Sequence, residues 1–82
     1  MPKRRETITT LAAQYVCTFH PEPEGGYTVT CAALPEVVTY GSTLEEARRN
    51  AREAIELVLE AYQEDGRDFP ASDADPASPF KK

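Results

Sequence analysis

The sequence predicts an α+β domain: a three-stranded antiparallel sheet, with room for a short fourth strand, packed on one long helix. Three observations carry this. The β-branched and aromatic runs Tyr15–Phe19 and Tyr27–Cys31 flank a turn rich in proline and glycine. A third run, Val37–Tyr40, follows Leu34-Pro35-Glu36. Behind a Ser-Thr cap signal, apolar residues then recur at helical spacing from Leu44 to Tyr62.

Residues 1–8 read as a flexible arm, with order beginning between Thr9 and Gln14. In the first strand, Tyr15-Val16-Cys17-Thr18-Phe19, the composition is that of a half-buried pleated surface. The turn His20-Pro21-Glu22-Pro23-Glu24-Gly25-Gly26 follows; its prolines give no amide donor and its glycines accept positive φ. The second strand alternates Tyr27, Val29 and Cys31 with Thr28 and Thr30, a period of two with one apolar face.

Antiparallel pairing through this turn has two registers. One sets Phe19 near Tyr27, Cys17 near Val29 and Tyr15 near Cys31. A shift of two residues sets Cys17 opposite Cys31. Both send Tyr15, Cys17, Phe19, Tyr27, Val29 and Cys31 to one face. Pro35 breaks the second strand, and Gly41 ends the third.

Ser42 or Thr43 caps the helix, with Glu45 or Glu46 three residues on in either frame. Gly66 is the C-terminal stop, so the helix spans about 43–65, roughly 33 Å at 1.5 Å per residue. Its stripe is Leu44, Ala47, Ala51, Ala54, Ile55, Val58 and Tyr62. The alanines let the axis approach the sheet. The bulkier Ile55, Val58, Leu59 and Tyr62 are candidate contacts to a second subunit. Outside, Glu45–Arg49 and Arg49–Glu53 form i, i+4 pairs, and Arg48, Arg49 and Arg52 read as a solvated face, with a binding patch as the alternative. Phe69 either closes onto the core or adds a short fourth strand. The domain therefore runs over 9–70, and the small-residue and proline segment 71–82 reads as a disordered tail.

At 82 residues the chain holds one domain with a small core, which favours a homo-oligomer, a dimer or higher. The net charge of −5 opposes nonspecific nucleic-acid binding, which depends on lysine and arginine, and suits a basic protein partner. No apolar run has the roughly 18 residues of a membrane span, and the basic N-terminus lacks the apolar stretch of a signal peptide. A cytoplasmic protein is expected, with Cys17 and Cys31 as buried free thiols.

Chemistry is hard to assemble from these residues. His20 is the single histidine and lies in a turn. The three predicted strands carry no Asp or Glu for a metal-dependent site, and no phosphate-cradling glycine loop is present. The expectation is a binding protein: not an enzyme, and without cofactor or metal. One long helix after a sheet fits neither a helix-turn-helix nor a ribbon-helix-helix, so direct DNA binding is not expected.

In order, Tyr15–Phe19, Glu24-Gly25-Gly26-Tyr27-Thr28-Val29, Leu34-Pro35-Glu36-Val37, Thr39-Tyr40-Gly41, Thr43-Leu44-Glu45-Glu46-Ala47 and Ala51–Ile55 resemble the HicB antitoxin family. The resemblance covers about residues 13–66. It implies a ribonuclease-H-like β-β-β-α core without nuclease activity. It also implies a partner, a small basic HicA-type toxin that cleaves messenger RNA and whose active surface the antitoxin covers. Many such antitoxins carry a C-terminal DNA-binding domain, which is not expected here because the segment after Gly66 is short and proline-rich. Glu36 also stands where the family often has glycine. By motif position, the candidate toxin contacts are Glu22, Glu24, Tyr27, Glu36 and Tyr40. The alternative is an orphan, self-assembling binding module of the same fold with no toxin.

Overall fold

A computed structural model describes residues 3–73 of the chain. Four antiparallel strands precede one helix: β1 (Arg4–Thr9), β2 (Gln14–Pro21), β3 (Tyr27–Cys31), β4 (Val38–Gly41) and α1 (Leu44–Glu64). The strands form a single meander in the order β1-β2-β3-β4. The expected β-β-β-α unit is β2-β3-β4-α1, and the sheet has one more strand in front of it.

That strand corrects the flexible arm expected over residues 1–8. Arg4 to Thr9 pair with Phe19 to Gln14 along the full length of β1. Its inward positions are Arg4, Glu6 and Ile8, opposite Phe19, Cys17 and Tyr15. Only Ile8 of these is apolar, so the alternation that normally exposes a strand is hidden in charged side chains. Glu6 is instead bound from above by Arg48 of α1, through Nε at 2.7 Å and Nη2 at 2.9 Å. The fourth strand is therefore N-terminal. Phe69 forms no strand but packs against the core, the other of its two expected roles.

The register is the one that sets Cys17 opposite Cys31 and Phe19 opposite Val29. The first-stated pairing, Phe19 with Tyr27, is displaced because the hairpin closes at Glu22–Gly26, by Glu22 N to Gly26 O at 3.0 Å and Gly25 N to Glu22 O at 2.9 Å. The inward set is as predicted in either case: Tyr15, Cys17, Phe19, Val29 and Cys31 are buried, and Tyr27 packs at the margin.

Helix α1 begins at the Thr43 cap, whose hydroxyl accepts from Glu46 N. The Glu46 carboxylate reaches back to Ser42 N and Oγ, so both expected cap residues are used. Ala47, Ala51, Ile55, Leu59 and Tyr62 are buried under the helix, and Leu44, Ala54 and Val58 flank them. Gly66 has φ +70 and ends the helix, with Arg67 N bonded to Tyr62 O. Among the described residues no helix is long and apolar enough to cross a membrane.

The chain then returns along the end of β2 that β3 does not cover. Tyr15 Oη donates to Pro70 O at 2.7 Å, Ser72 Oγ to Gln14 O at 2.6 Å, and Val16 N to Asp73 Oδ1 at 2.8 Å. Residues 71–73 are thus tied to β2, against the expectation of a disordered tail from residue 71. The rest of that expected tail, 74–82, lies outside the described residues.

Candidate functional site

The expected contact residues fall at two ends of the sheet. Glu22, Glu24, Tyr27 and Tyr40 gather at the β2–β3 hairpin. Glu36 sits at the opposite end, in the β3–β4 loop beside the last turns of α1, where Tyr62 Oη donates to its carboxylate at 3.3 Å. The structure therefore does not bring the five residues into one surface.

At the hairpin, two of the four candidates, Glu22 and Tyr40, hold the turn together. Tyr40 projects from β4 across the turn, and its hydroxyl donates to Gly25 O at 2.9 Å. Gly26 has φ +81, and a Cβ there would fall 2.1 Å from Tyr40 Oη. Glu22 accepts from Thr28 Oγ1 at 2.6 Å. The motif residues Gly25, Gly26 and Tyr40 thus form one interlocked corner. Glu24 is exposed at the tip, between the exposed Pro23 and Gly25.

Of the four helix residues expected to meet a second subunit, Ile55, Leu59 and Tyr62 are buried within this chain's own core. The sheet covers the bulky end of the stripe within this chain. Val58 is half-buried and packs at the core's edge.

Electrostatics single out β1. Hydrogen bonds from Arg48, with a second ion pair from Arg4, hold the Glu6 carboxyl at about 2, well below the ordinary carboxylate range. Arg48, expected on a solvated face, is thus a structural tie. With Arg49 and Arg52 it borders a shallow polar groove over Thr7, Ile8 and Thr9. Glu6 is also a strand carboxylate, but Arg48 and Arg4 occupy it. Cys17 and Cys31 are both free thiols and buried. Bonding to the Cys31 sulfur, together with burial, pushes the Cys17 thiol far above its usual range.

Sequence reasoning missed three exposed apolar residues. Leu11 stands fully exposed on the β1–β2 turn, Leu57 is 66% exposed on the outer side of α1, and Val38 is 64% exposed on β4. Periodicity marks which residues share a face; it does not say whether a second layer covers that face. Val38 and Tyr40 share the outer sheet face with Thr28 and Thr30, to which they are registered, while the helix packs on the other face.

Residues 15–77 match the family described as the HicB-like antitoxin of bacterial toxin-antitoxin systems. The chain is 39% identical over 57 residues to Antitoxin HicB of Escherichia coli (strain K12), covering 70% of this chain and 41% of that protein. It is 41% identical over 61 residues to Antitoxin HicB of Pseudomonas fluorescens, covering 74% and 41%. A Synechocystis protein named UPF0150 protein ssr1765 is 36% identical over 59 residues, covering 72% of this chain and 75% of its own length. The chain thus spans about two-fifths of the length of the two HicB antitoxins, and strand β1 precedes the matched segment.

Proposed function

This chain belongs to the HicB-like antitoxin family, and from that premise we propose that it is a cytoplasmic, non-catalytic antitoxin that binds and neutralises a small basic, HicA-type RNA-cleaving toxin. One observation carries the reading: the family match takes in β2, β3, β4 and α1, which with the loops between them supply all of the buried apolar core but Ile8. The net charge of −5 suits a basic partner. Glu24 at the hairpin tip and Glu36 in the β3–β4 loop offer exposed carboxylates to it, although from opposite ends of the sheet.

The test is co-expression with the product of the gene adjacent to this one. Growth arrest and messenger-RNA cleavage by that protein alone, both relieved when this chain is present, is the expected result. A neighbour that neither cleaves RNA nor binds this chain would overturn the reading.

The orphan self-assembling module keeps one supporting feature. β1 is an edge strand with no strand beyond it among the described residues, so its outer backbone groups can pair with a second copy. Light scattering of the purified chain separates the two readings. A stable dimer that excludes the neighbouring protein favours the orphan; a monomer or dimer that takes it up favours the antitoxin.

A further inference from the structure

A groove of about 230 Å³ runs between the β1–β2 turn and the last turns of α1. Leu11, Ala12, Leu59 and Phe69 line it, and Glu56 and Glu60 stand at its rim. The turn that presents Leu11 is rigid: the buried Thr10 hydroxyl donates to Ala13 O and accepts from Ala12 N and Ala13 N. Leu57 lies next to the groove on the helix, in a second hollow bordered by Glu53, Glu56 and Glu60. Two leucines held in water, in two hollows that share Glu56 and Glu60 at their border, are unpartnered apolar surface.

The charge around that surface says what covers it. Glu56, Glu60 and Glu64 follow one another at i, i+4, a spacing at which like charges repel. Carboxylates near the helix C-terminus also oppose the helix dipole, and the last turn has no basic residue. The nearby Arg67 is turned away, its guanidinium stacked 3.9 Å over the Tyr62 ring. Among the described residues, the ion pairs are those of Glu6 with Arg4 and Arg48, so none reaches this stripe. An arrangement that costs the isolated helix stability and leaves leucines in water fits a surface completed by another molecule. A second copy placed here by a two-fold axis would set the same carboxylates against each other. Nucleic acid would be repelled.

We propose that this face, Leu11 and Leu57 with Glu56 and Glu60, docks a basic protein segment that presents an apolar side chain between lysines or arginines. The inference rests on the antitoxin reading and deepens it: the segment belongs to the toxin, and its main seat is the helix face and not the hairpin. The leucines supply burial, and the carboxylates select the sign of the partner and speed its approach.

The probe is the product of the gene adjacent to this one, titrated into the isotope-labelled full chain. Amide shifts are expected around Leu11, Leu57 and Glu60. The double variant E56K/E60K, on two exposed positions, is expected to weaken binding by about tenfold or more and to flatten the loss seen between about 50 and about 300 mM salt. The control variant E45K, at an exposed carboxylate in the first turn of α1 far from this face, is expected to change affinity less than about twofold. Circular dichroism of each variant checks that the fold persists. Binding that the hairpin variant E24K abolishes and E56K/E60K leaves intact would overturn this docking face while the antitoxin reading stands. No binding by the unaltered chain would overturn both.

Discussion

Glu6 shows how one residue can carry a strand's attachment. It sits opposite Cys17 on the inner side of β1, at an edge where apolar side chains would be only partly covered. Arg48 reaches it through two hydrogen bonds. The Arg48 hydrogen bond is the chief reason its carboxyl falls from 4.5 to about 2. The folded value lies below the unfolded one, so the stabilisation is fully present above about 4.5 and is lost as pH falls through about 2. Both side chains keep some contact with water, at 42% exposure for Arg48 and 20% for Glu6. Solvent screening therefore keeps the pair's contribution small. Urea unfolding should find the wild-type chain more stable than E6Q at pH 7, with the two converging toward pH 2. A gap that is constant across this range would mean that E6Q acts through packing and not through charge.

At the scale of elements, the motif residues are a set of close approaches. Gly41 ends β4 where the first turn of α1 crosses it, and a Cβ there would lie 2.3 Å from Ala47 N and 2.5 Å from Ala47 Cα. Backbone cannot yield as a flexible side chain does. Gly41→Ala should therefore displace the helix start and cost about 1–3 kcal/mol, as overpacking does. Its midpoint in urea should fall with the slope unchanged. Wild-type stability in G41A would mean that strand and helix can part here at no cost. Asn50 completes the junction, donating from Nδ2 to Tyr40 O at 2.7 Å and so covering part of the outer edge of β4. β4 is thus the protected edge of the sheet and β1 the open one.

At the scale of the molecule, the segment after the helix closes the sheet. It supplies acceptors for Tyr15 Oη and Val16 N and packs Phe69 against the core. A chain ending at Gly66 loses all three. It should melt at a lower temperature than the full chain, by an amount corresponding to about 2 kcal/mol, since it leaves a buried tyrosine hydroxyl without its partner. Equal melting temperatures would show that the segment rests on β2 without supporting it.

Much of this fold was legible in the sequence. The alternation Tyr27-Val29-Cys31, the Thr43–Glu46 cap and the alanine stripe each encode a local preference that needs no knowledge of the rest of the chain. The family motifs were legible for a related reason. Gly26 and Gly41 sit where a Cβ would collide with Tyr40 and with the Ala47 backbone, so steric exclusion ties these motif residues to one another. The candidate contact surface was read less well. Glu36 and Tyr40 stand four residues apart in sequence yet at opposite ends of a strand, and a motif list does not record that distance.

The sequence by itself determined the strand-strand-strand-helix order, the inward set of side chains and the family, because these follow from period, cap and steric exclusion along a short stretch of chain. Tertiary structure alone decided the rest. β1 is a strand because it pairs along β2 and buries Ile8, with Arg48, 42 residues away, neutralising Glu6. Cys17 faces Cys31 because the hairpin closes at Glu22 and Gly26. Ile55, Leu59 and Tyr62 belong to the core because the sheet reaches the end of the helix, while Leu11 and Leu57 stay in water because no element of the described chain does. Burial and ion pairing depend on what lies across a gap in space, and local pattern does not encode that.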